Sequence, residues 1–141
     1  MKQKFIDLYM TMAESVSQLS TAVRLKVGTV IVKDHVVTFG YNGTPAGWDN
    51  NCEELVYRIA QEPILKTKPE VLHSEANAIS KIAKSSISSE GATLFCTHAP
   101  CIDCAKMIHQ AGIFTVYYRN EYRSTDGIEF LKKSGVDVKQ Q

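Results

Sequence analysis

The chain has 141 residues, 44% of them hydrophobic and 22% charged, a composition that predicts one globular domain over residues 1–141 with its own hydrophobic core. Its 16 basic and 15 acidic side chains leave a net charge of +1, which argues against nucleic acid as a partner and favours a small substrate. No stretch has the length of a membrane span or the pattern of a secretory signal, so we expect a cytoplasmic location and no membrane partner.

The first third of the chain predicts a helix and a β-hairpin, followed by a loop. Apolar side chains spaced three and four apart predict a helix over residues 2–20. Two β-branched runs, 27–32 and 36–39, predict the strands of a hairpin with a turn at 33–35. Residues 40–51 are rich in Gly, Asn and Pro, which is typical of a loop whose backbone can approach a ligand closely.

The rest of the chain predicts an alternation of helices and strands. A short helix is expected over residues 53–60, and residues 61–70, which include two prolines, are expected to cross the surface as a connection. Further helices are predicted over 73–84, 101–110 and 127–133, the second opening with Pro100 at its first position, and strands over 92–96, 116–118 and 136–138. This order predicts an α/β fold of three layers, in which one mixed sheet is covered by helices on both faces.

Two cysteines at the start of a predicted helix suggest a metal site. Cys101 and Cys104 stand three residues apart, so their sulfurs share one helix face. The free N–H groups of a helix start favour thiolate, which is a good ligand for zinc. The imidazole of His73 completes a set of three protein ligands, and a catalytic zinc keeps its fourth position for water.

Glu75, two residues after His73, is the predicted general base. Side chains two apart on a regular helix point about 200° apart, so both can face one metal only if the helix begins near His73. His-x-Glu followed by Pro-Cys-x-x-Cys is a known signature of zinc deaminases. It predicts that a water activated by zinc attacks C4 of cytosine, while Glu75 carries the proton to ring N3 and then to the departing amine.

A structural zinc site is the competing interpretation of the same residues. Structural sites are closed cages of four ligands, and Cys96, His98 or Cys52 could supply the fourth. Cys96 also fits a buried thiol in an apolar strand, and His98 a residue of the substrate pocket. The backbone groups of Thr97, His98 and Ala99, at a strand end, are predicted to hydrogen-bond the base or the leaving amine.

Four segments together resemble the deoxycytidylate deaminase family, a branch of the zinc cytidine-deaminase fold. The segments are Val27-Gly28, Gly40-Tyr41-Asn42-Gly43-Thr44-Pro45-Ala46-Gly47, His73-Ser74-Glu75-Ala76-Asn77-Ala78-Ile79 and Pro100-Cys101-Ile102-Asp103-Cys104-Ala105-Lys106. The second is the most discriminating, since other branches share only the metal motifs. The resemblance implies deamination of dCMP to dUMP, a sheet of five strands and usually a hexamer.

The resemblance also implies roles for single residues. It makes His73, Cys101 and Cys104 the ligands of one catalytic zinc, and Glu75 the proton shuttle. Asn42 would contact the deoxyribose. Further substrate contacts would come from Tyr122, beside the base or sugar, and from Arg24, Lys26 or Arg123, at the phosphate.

Regulation by nucleoside triphosphates is a further implication of the resemblance. In many family members dCTP activates and dTTP inhibits, and the loop residues Gly40, Tyr41, Asn42, Gly43 and Thr44 resemble the effector site. Lys84 stands at the position where similar proteins have a cationic side chain linked to the effector. Some relatives carry a second, structural zinc from a histidine-rich insertion, which is not expected here because residues 53–72 contain no histidine.

Two other functions stay open at this stage. A deaminase acting on cytosine or adenine in single-stranded nucleic acid would need a basic groove with stacking aromatic side chains, and the balanced charge disfavours it. A zinc module that binds a nucleotide without catalysis would hold its metal with four protein ligands, and removal of the Glu75 carboxylate would leave its function unchanged.

Overall fold

The computed structural model describes residues 1–141, which form four helices and seven strands. The elements, in chain order, are α1 (Gln3–Ser17), β1 (Gly28–Lys33), β2 (His35–Tyr41), β3 (Glu53–Arg58), β4 (Gln61–Thr67), α2 (Ser74–Ala83), β5 (Thr93–His98), α3 (Ile102–Gln110), β6 (Thr115–Asn120), α4 (Asp126–Lys133) and β7 (Asp137–Gln140). None of the helices has the length and apolar character needed to span a membrane.

Five strands form one mixed sheet in the order β2-β1-β5-β6-β7. β1 runs antiparallel to both of its neighbours, whereas β5, β6 and β7 are parallel to one another. This confirms the predicted mixed sheet of five strands. Because the carboxyl ends of parallel strands lie at one edge, the segments that follow β5 and β6 meet there, and His98 pairs with Asn120.

Helices cover both faces of the sheet, as predicted, because successive side chains of a strand point to opposite sides. α1 packs on one face, and α2, α3 and α4 on the other. The core under α1 contains Ile6, Met10, Ala13, Val30, Val32, Phe95 and Tyr117. The opposite core contains Ile31, Ala78, Ile82, Ala92, Leu94, Cys96, Ala105, Ile108, Ile113, Val116, Leu131 and Val136.

The segment from Glu53 to Thr67 differs from the prediction. The expected helix over 53–60 is wrong, since β3 occupies Glu53–Arg58, and the expected connection over 61–70 contains β4. The two strands form a separate antiparallel sheet joined at Ile59-Ala60, where Ala60 has a positive φ of 56°. Leu55, Val56 and Tyr57 form a short apolar run with a β-branched and an aromatic side chain, which is typical of a strand.

Pro100 also lies outside its predicted place. Cys101, with extended backbone angles, is the N-cap of α3, so Pro100 precedes the helix instead of opening it. The other helices and strands of the main sheet begin and end within three residues of the predicted positions.

Candidate functional site

Two of the predicted metal ligands occupy the N-caps of two helices. His73 has φ −72° and ψ 153° before α2, and Cys101 has φ −69° and ψ 169° before α3. Their carbonyls accept the first helical hydrogen bonds, from Asn77 N–H and Ala105 N–H. The helix therefore begins directly after His73, as the spacing of His73 and Glu75 requires.

The donor atoms of His73, Cys101 and Cys104 lie within 4.8 Å of one another. His73 Nδ1 is 3.5 Å from the sulfur of Cys101 and 3.5 Å from that of Cys104. Zinc bonds of about 2.3 Å to sulfur and about 2.0–2.1 Å to nitrogen separate these atoms by about 3.5 Å at a tetrahedral angle. The three side chains therefore fit a zinc ion bound through Nδ1 and two sulfurs.

The alternative of a closed cage with four protein ligands does not fit this geometry. The cluster of metal-ligating side chains consists of three residues, and Cys96, His98 and Cys52 lie outside it. Cys96 is buried in the sheet, where burial raises the pKa of its thiol to about 12. A zinc ion held by three protein donors would keep one coordination position free, which suits a catalytic site better than a structural one.

Hydrogen bonding shifts the pKa values of the two sulfurs in opposite directions. Hydrogen bonds from Cys104 and then from His73 lower the pKa of Cys101 to about 3. The hydrogen bond to Cys101, together with burial, raises the pKa of Cys104 above its usual range. The hydrogen bond to Cys101 also raises the pKa of His73. Because zinc binds thiolates, metal binding would release a proton from this pair.

Glu75 lies in the first turn of α2 and is buried, yet it lines the same cavity as His73 and Cys101. Burial raises the pKa of its carboxyl group, because the charged form loses hydration. The hydroxyl of Ser74 donates a hydrogen bond of 3.0 Å to Glu75 Oε2. A raised pKa makes a carboxyl group a better proton acceptor, which suits a general base beside a metal site.

A cavity of about 620 Å³ opens next to these residues, large enough for a nucleotide-sized molecule. Loops that follow β5 and β6 supply one wall, and the segment before β1 and the strand β4 supply others. Six of the predicted substrate residues line it, namely Arg24, Asn42, His98, Ala99, Tyr122 and Arg123.

Two predicted substrate residues lie outside the cavity lining. Thr97 is buried, its hydroxyl accepting a hydrogen bond from Gly28 N–H and lying 3.0 Å from His98 Nδ1. The carbonyl of Thr97 and the N–H of Ala99 are both bonded to Asn120, so these two groups are engaged within the sheet. Lys26 is exposed and is not part of the lining.

Asn42 and His98 are two polar residues of the cavity lining. Asn42 Oδ1 accepts a hydrogen bond of 2.8 Å from Val27 N–H, and its amide donates one of 2.8 Å to the Leu25 carbonyl. Each end of the amide keeps one further bond for a ligand. Burial lowers the pKa of His98, so its ring is neutral at physiological pH.

Of the residues predicted to bind effectors, Gly40 to Thr44 follow one another in the chain and Lys84 lies apart from them. Gly40 lies so close to α2 that a β-carbon would collide with the backbone of Ser74 and Ala78. The Tyr41 carbonyl accepts from Asn77, Gly43 bridges to Leu72, and Thr44 donates to the Asp49 carbonyl. Lys84 is exposed at the far end of α2 from His73. Gly40 therefore has a packing reason to be glycine, apart from any ligand.

The sequence did not point to several residues of the site. Thr29, on β1, joins its hydroxyl to that of Ser74 beneath Glu75, and the signal was a polar side chain in an otherwise apolar strand. The unpredicted residues of the cavity lining are Ala22, Leu25, Val27, Glu53, Ile64, Leu65, Lys66, Thr67, Val71 and Ser74. Those on β3 and β4 were missed because that segment was not predicted to be a hairpin.

α4 fixes the position of the Cys101 loop from behind. A β-carbon at Gly127 would collide with the carbonyl of Pro100 and the backbone of Cys101. Gly127 thus allows the start of α4 to pack directly on the segment that carries a metal ligand.

Comparison with known proteins adds an independent line of support. The family model for the cytidine and deoxycytidylate deaminase zinc-binding region matches residues 3–120, which include both metal motifs. The deoxycytidylate deaminase of Enterobacteria phage T4 is 33% identical, over 87% of this chain and 82% of the phage protein. The human deoxycytidylate deaminase is 36% identical, over 85% of this chain and 67% of its own length.

A solved structure is similar over the whole chain. The dCMP deaminase from the cyanophage S-TIM5, in complex with dCMP and dUMP, superposes with a TM-score of 0.90 at 48% identity. The match covers 100% of this chain and 99% of the cyanophage chain, so it includes the β3–β4 hairpin as well as the metal motifs.

Proposed function

The chain belongs to the family of cytidine and deoxycytidylate deaminases with a zinc-binding region, and from this premise we propose that it hydrolyses dCMP to dUMP and ammonia. The observation that carries the proposal is the tetrahedral spacing of one imidazole nitrogen and two sulfurs beside a buried carboxyl group. The cavity next to them has the size that the substrate needs.

His73, Cys101 and Cys104 hold the metal, and Glu75 moves the proton. A zinc ion bound there would acidify a water and so supply the nucleophile that attack on C4 of cytosine requires. Glu75 takes one proton from that water and delivers it to ring N3, where it stays in the product. Glu75 then passes the remaining hydroxyl proton to the amine, which leaves as ammonia. The neutral ring of His98 and the backbone of Ala99 line the cavity where the base would lie.

Cationic side chains at the cavity support a phosphorylated substrate. Arg24, Lys66 and Arg123 line it, and an anionic phosphate needs such partners. Tyr122 lies under Arg123, whose guanidinium is 5.3 Å from the ring centre. Asn42, held by the backbone of residues 25–27, has one donor and one acceptor left for the deoxyribose. Lys26 is the weaker choice for the phosphate, because it lies outside the lining.

Regulation and assembly are part of the proposal. We place dCTP and dTTP at the loop residues Gly40 to Thr44, and we expect a homo-oligomer, as a hexamer, in the cytoplasm. Lys84 would then act from the far end of α2 or from another subunit. A dCTP titration of the dCMP rate, with and without a Thr44→Ala change, tests the effector site. The molar mass in solution by light scattering tests the hexamer.

Steady-state rates of ammonia release test the activity itself. We expect turnover with dCMP and far less with deoxycytidine or a cytosine-containing oligonucleotide. Glu75→Gln should lower kcat by about 10²–10⁴-fold while zinc content stays at one per chain. Strong turnover of the oligonucleotide would favour the nucleic-acid alternative, and full activity of the Gln variant would favour a role for the site other than catalysis.

A further inference from the structure

Beneath Glu75 lies a row of buried polar side chains that the reaction does not use directly. Ser74 Oγ is 3.0 Å from Glu75 Oε2 and 2.7 Å from Thr29 Oγ1. Thr29 Oγ1 is in turn 3.3 Å from the sulfur of Cys96. Thr29, Ser74 and Cys96 are each fully shielded from solvent. The row runs from the sheet into the first turn of α2.

Each member of this row contacts the next. The Ser74 hydroxyl donates to Glu75 Oε2, and the Thr29 hydroxyl donates to the sulfur of Cys96. The two hydroxyl oxygens also lie in contact with each other. Thr29 is therefore anchored by Cys96, and Ser74 is held between Thr29 and Glu75.

Burying these two hydroxyl groups in an apolar core costs free energy, which indicates that they have a function. Thr29 is on the same face of β1 as Ile31, inside a core of apolar side chains. A valine of similar shape would fill the same space without burying a polar group. Ser74 precedes Glu75 at the start of a helix whose other buried residues include Ala78 and Ile82. Packing alone would not select a hydroxyl at either place.

We propose that Ser74 and Thr29 are positioning residues, which hold the Glu75 carboxyl group in the orientation that a proton shuttle requires. The inference rests on the proposed role of Glu75 as proton shuttle. Ser74 holds Oε2 through its hydrogen bond, and Oε1 is free of that bond. Thr29 lies 2.7 Å from the Ser74 hydroxyl and keeps it in place beneath the carboxyl group.

A double-mutant cycle on the zinc-loaded protein with dCMP tests this chain of action. Ser74→Ala should lower kcat roughly tenfold, the size expected for loss of a hydrogen bond to a charged group, with little change in KM. Thr29→Val should lower kcat by a smaller factor. The double variant should be no slower than Ser74→Ala, because Thr29 acts only through Ser74. Thr29→Ser should restore kcat, and Thr93→Val, the same change elsewhere in the sheet, should leave it unaltered.

The outcomes separate this inference from the proposed function. Multiplying effects of the two single variants, or a loss confined to KM, would overturn the positioning role while Glu75 remains the shuttle. Full activity of Glu75→Gln would overturn both. Zinc content and thermal midpoint are measured for every variant. If Ser74→Ala does not fold, the comparison of Thr29→Val with Thr29→Ser decides. A lower kcat in Thr29→Val and a normal kcat in Thr29→Ser support the positioning role. Equal kcat values in the two variants refute it.

Discussion

The metal site, formed by His73, Cys101 and Cys104, is packed firmly on the core of the protein, whereas the β3–β4 hairpin is not. His73, Cys101 and Cys104 are held by helix starts that rest on a buried sheet, and α4 packs against the loop from behind. The hairpin has no buried residue in β4, and large apolar side chains such as Tyr57 and Ile59 are 75% and 98% exposed. Its strands contact chiefly each other.

The difference shows which parts of the site have freedom to change. The chemistry depends on atoms whose places are fixed by the core, the helix caps and close backbone contacts. The cavity wall supplied by Ile64 to Thr67 depends on a two-stranded sheet, which has little stability of its own. We therefore expect substitutions at the two regions to have effects of very different size.

The largest effect is expected at the donor set. Cys104→Ala removes one of the three donors, so zinc should be lost and deamination of dCMP should fall to background. Metal content by atomic absorption, measured alongside the rate, checks this. Cys52→Ala is the matched control, since Cys52 is buried outside the cluster. A Cys104→Ala protein that kept zinc and activity would show that the donors are misassigned.

The next largest effect on the protein is expected when a methyl group is added at Gly127, behind the metal site. Gly127→Ala forces the Pro100 carbonyl to move, and overpacking of this kind costs about 1–3 kcal/mol of unfolding free energy. Because Cys101 follows Pro100, zinc affinity should fall as well. Urea unfolding and a zinc competition titration measure the two effects, with the exposed Lys132→Ala on the same helix as control. Unchanged zinc affinity would mean that α4 does not set the position of the loop.

Metal removal should single out one cysteine. After chelation, Cys101 should react first with iodoacetamide, because it is partly exposed and its pKa is lowered to about 3. Since the thiolate already predominates, its rate should stay flat between about pH 6 and pH 8, whereas an ordinary thiol speeds up as pH rises. Peptide mass spectrometry identifies the labelled residue. Faster labelling of Cys52 or Cys96, both buried, would contradict the described arrangement.

The smallest effect is expected at the hairpin. Tyr57→Ser and Ile59→Ser should change unfolding free energy by less than about 0.5 kcal/mol, because these side chains are exposed. Leu94→Ala, in the core, provides the contrast at about 2–5 kcal/mol. Thermal and urea unfolding measure both. A hairpin effect as large as the core effect would show that a partner subunit covers Tyr57 and Ile59 in the assembled protein.

The sequence predicted the metal site well because several signals agreed there. Cysteines three apart, a histidine and a glutamate two apart, and strong helix-forming residues all required the same helix starts. The error at Pro100 was small, since proline is tolerated both before and at the first helical position. The five strands of the main sheet were predictable from β-branched and apolar runs, and two of them, β1 and β5, are buried along most of their length.

The hairpin was mispredicted for a physical reason. Its turn at Ile59-Ala60 has no glycine or asparagine, although Ala60 adopts the positive φ that those residues favour. The apolar run from Leu55 to Tyr57 was present, but it marks no core face, because its side chains are exposed or half-buried. The role of Thr29 could not be predicted either, because its partner Ser74 is 45 residues away in the chain.

The spacing of the donors along the chain ties survival of the protein to its supply of metal. His73 stands 28 residues before Cys101 and 31 before Cys104, and α2 and β5 lie between them. A zinc ion bound to all three closes that loop much as a crosslink would. Above the dissociation constant, each tenfold rise in free zinc adds about 1.4 kcal/mol to the free energy of unfolding. Scarcity of zinc would thus shorten the lifetime of the folded chain as well as halt its turnover.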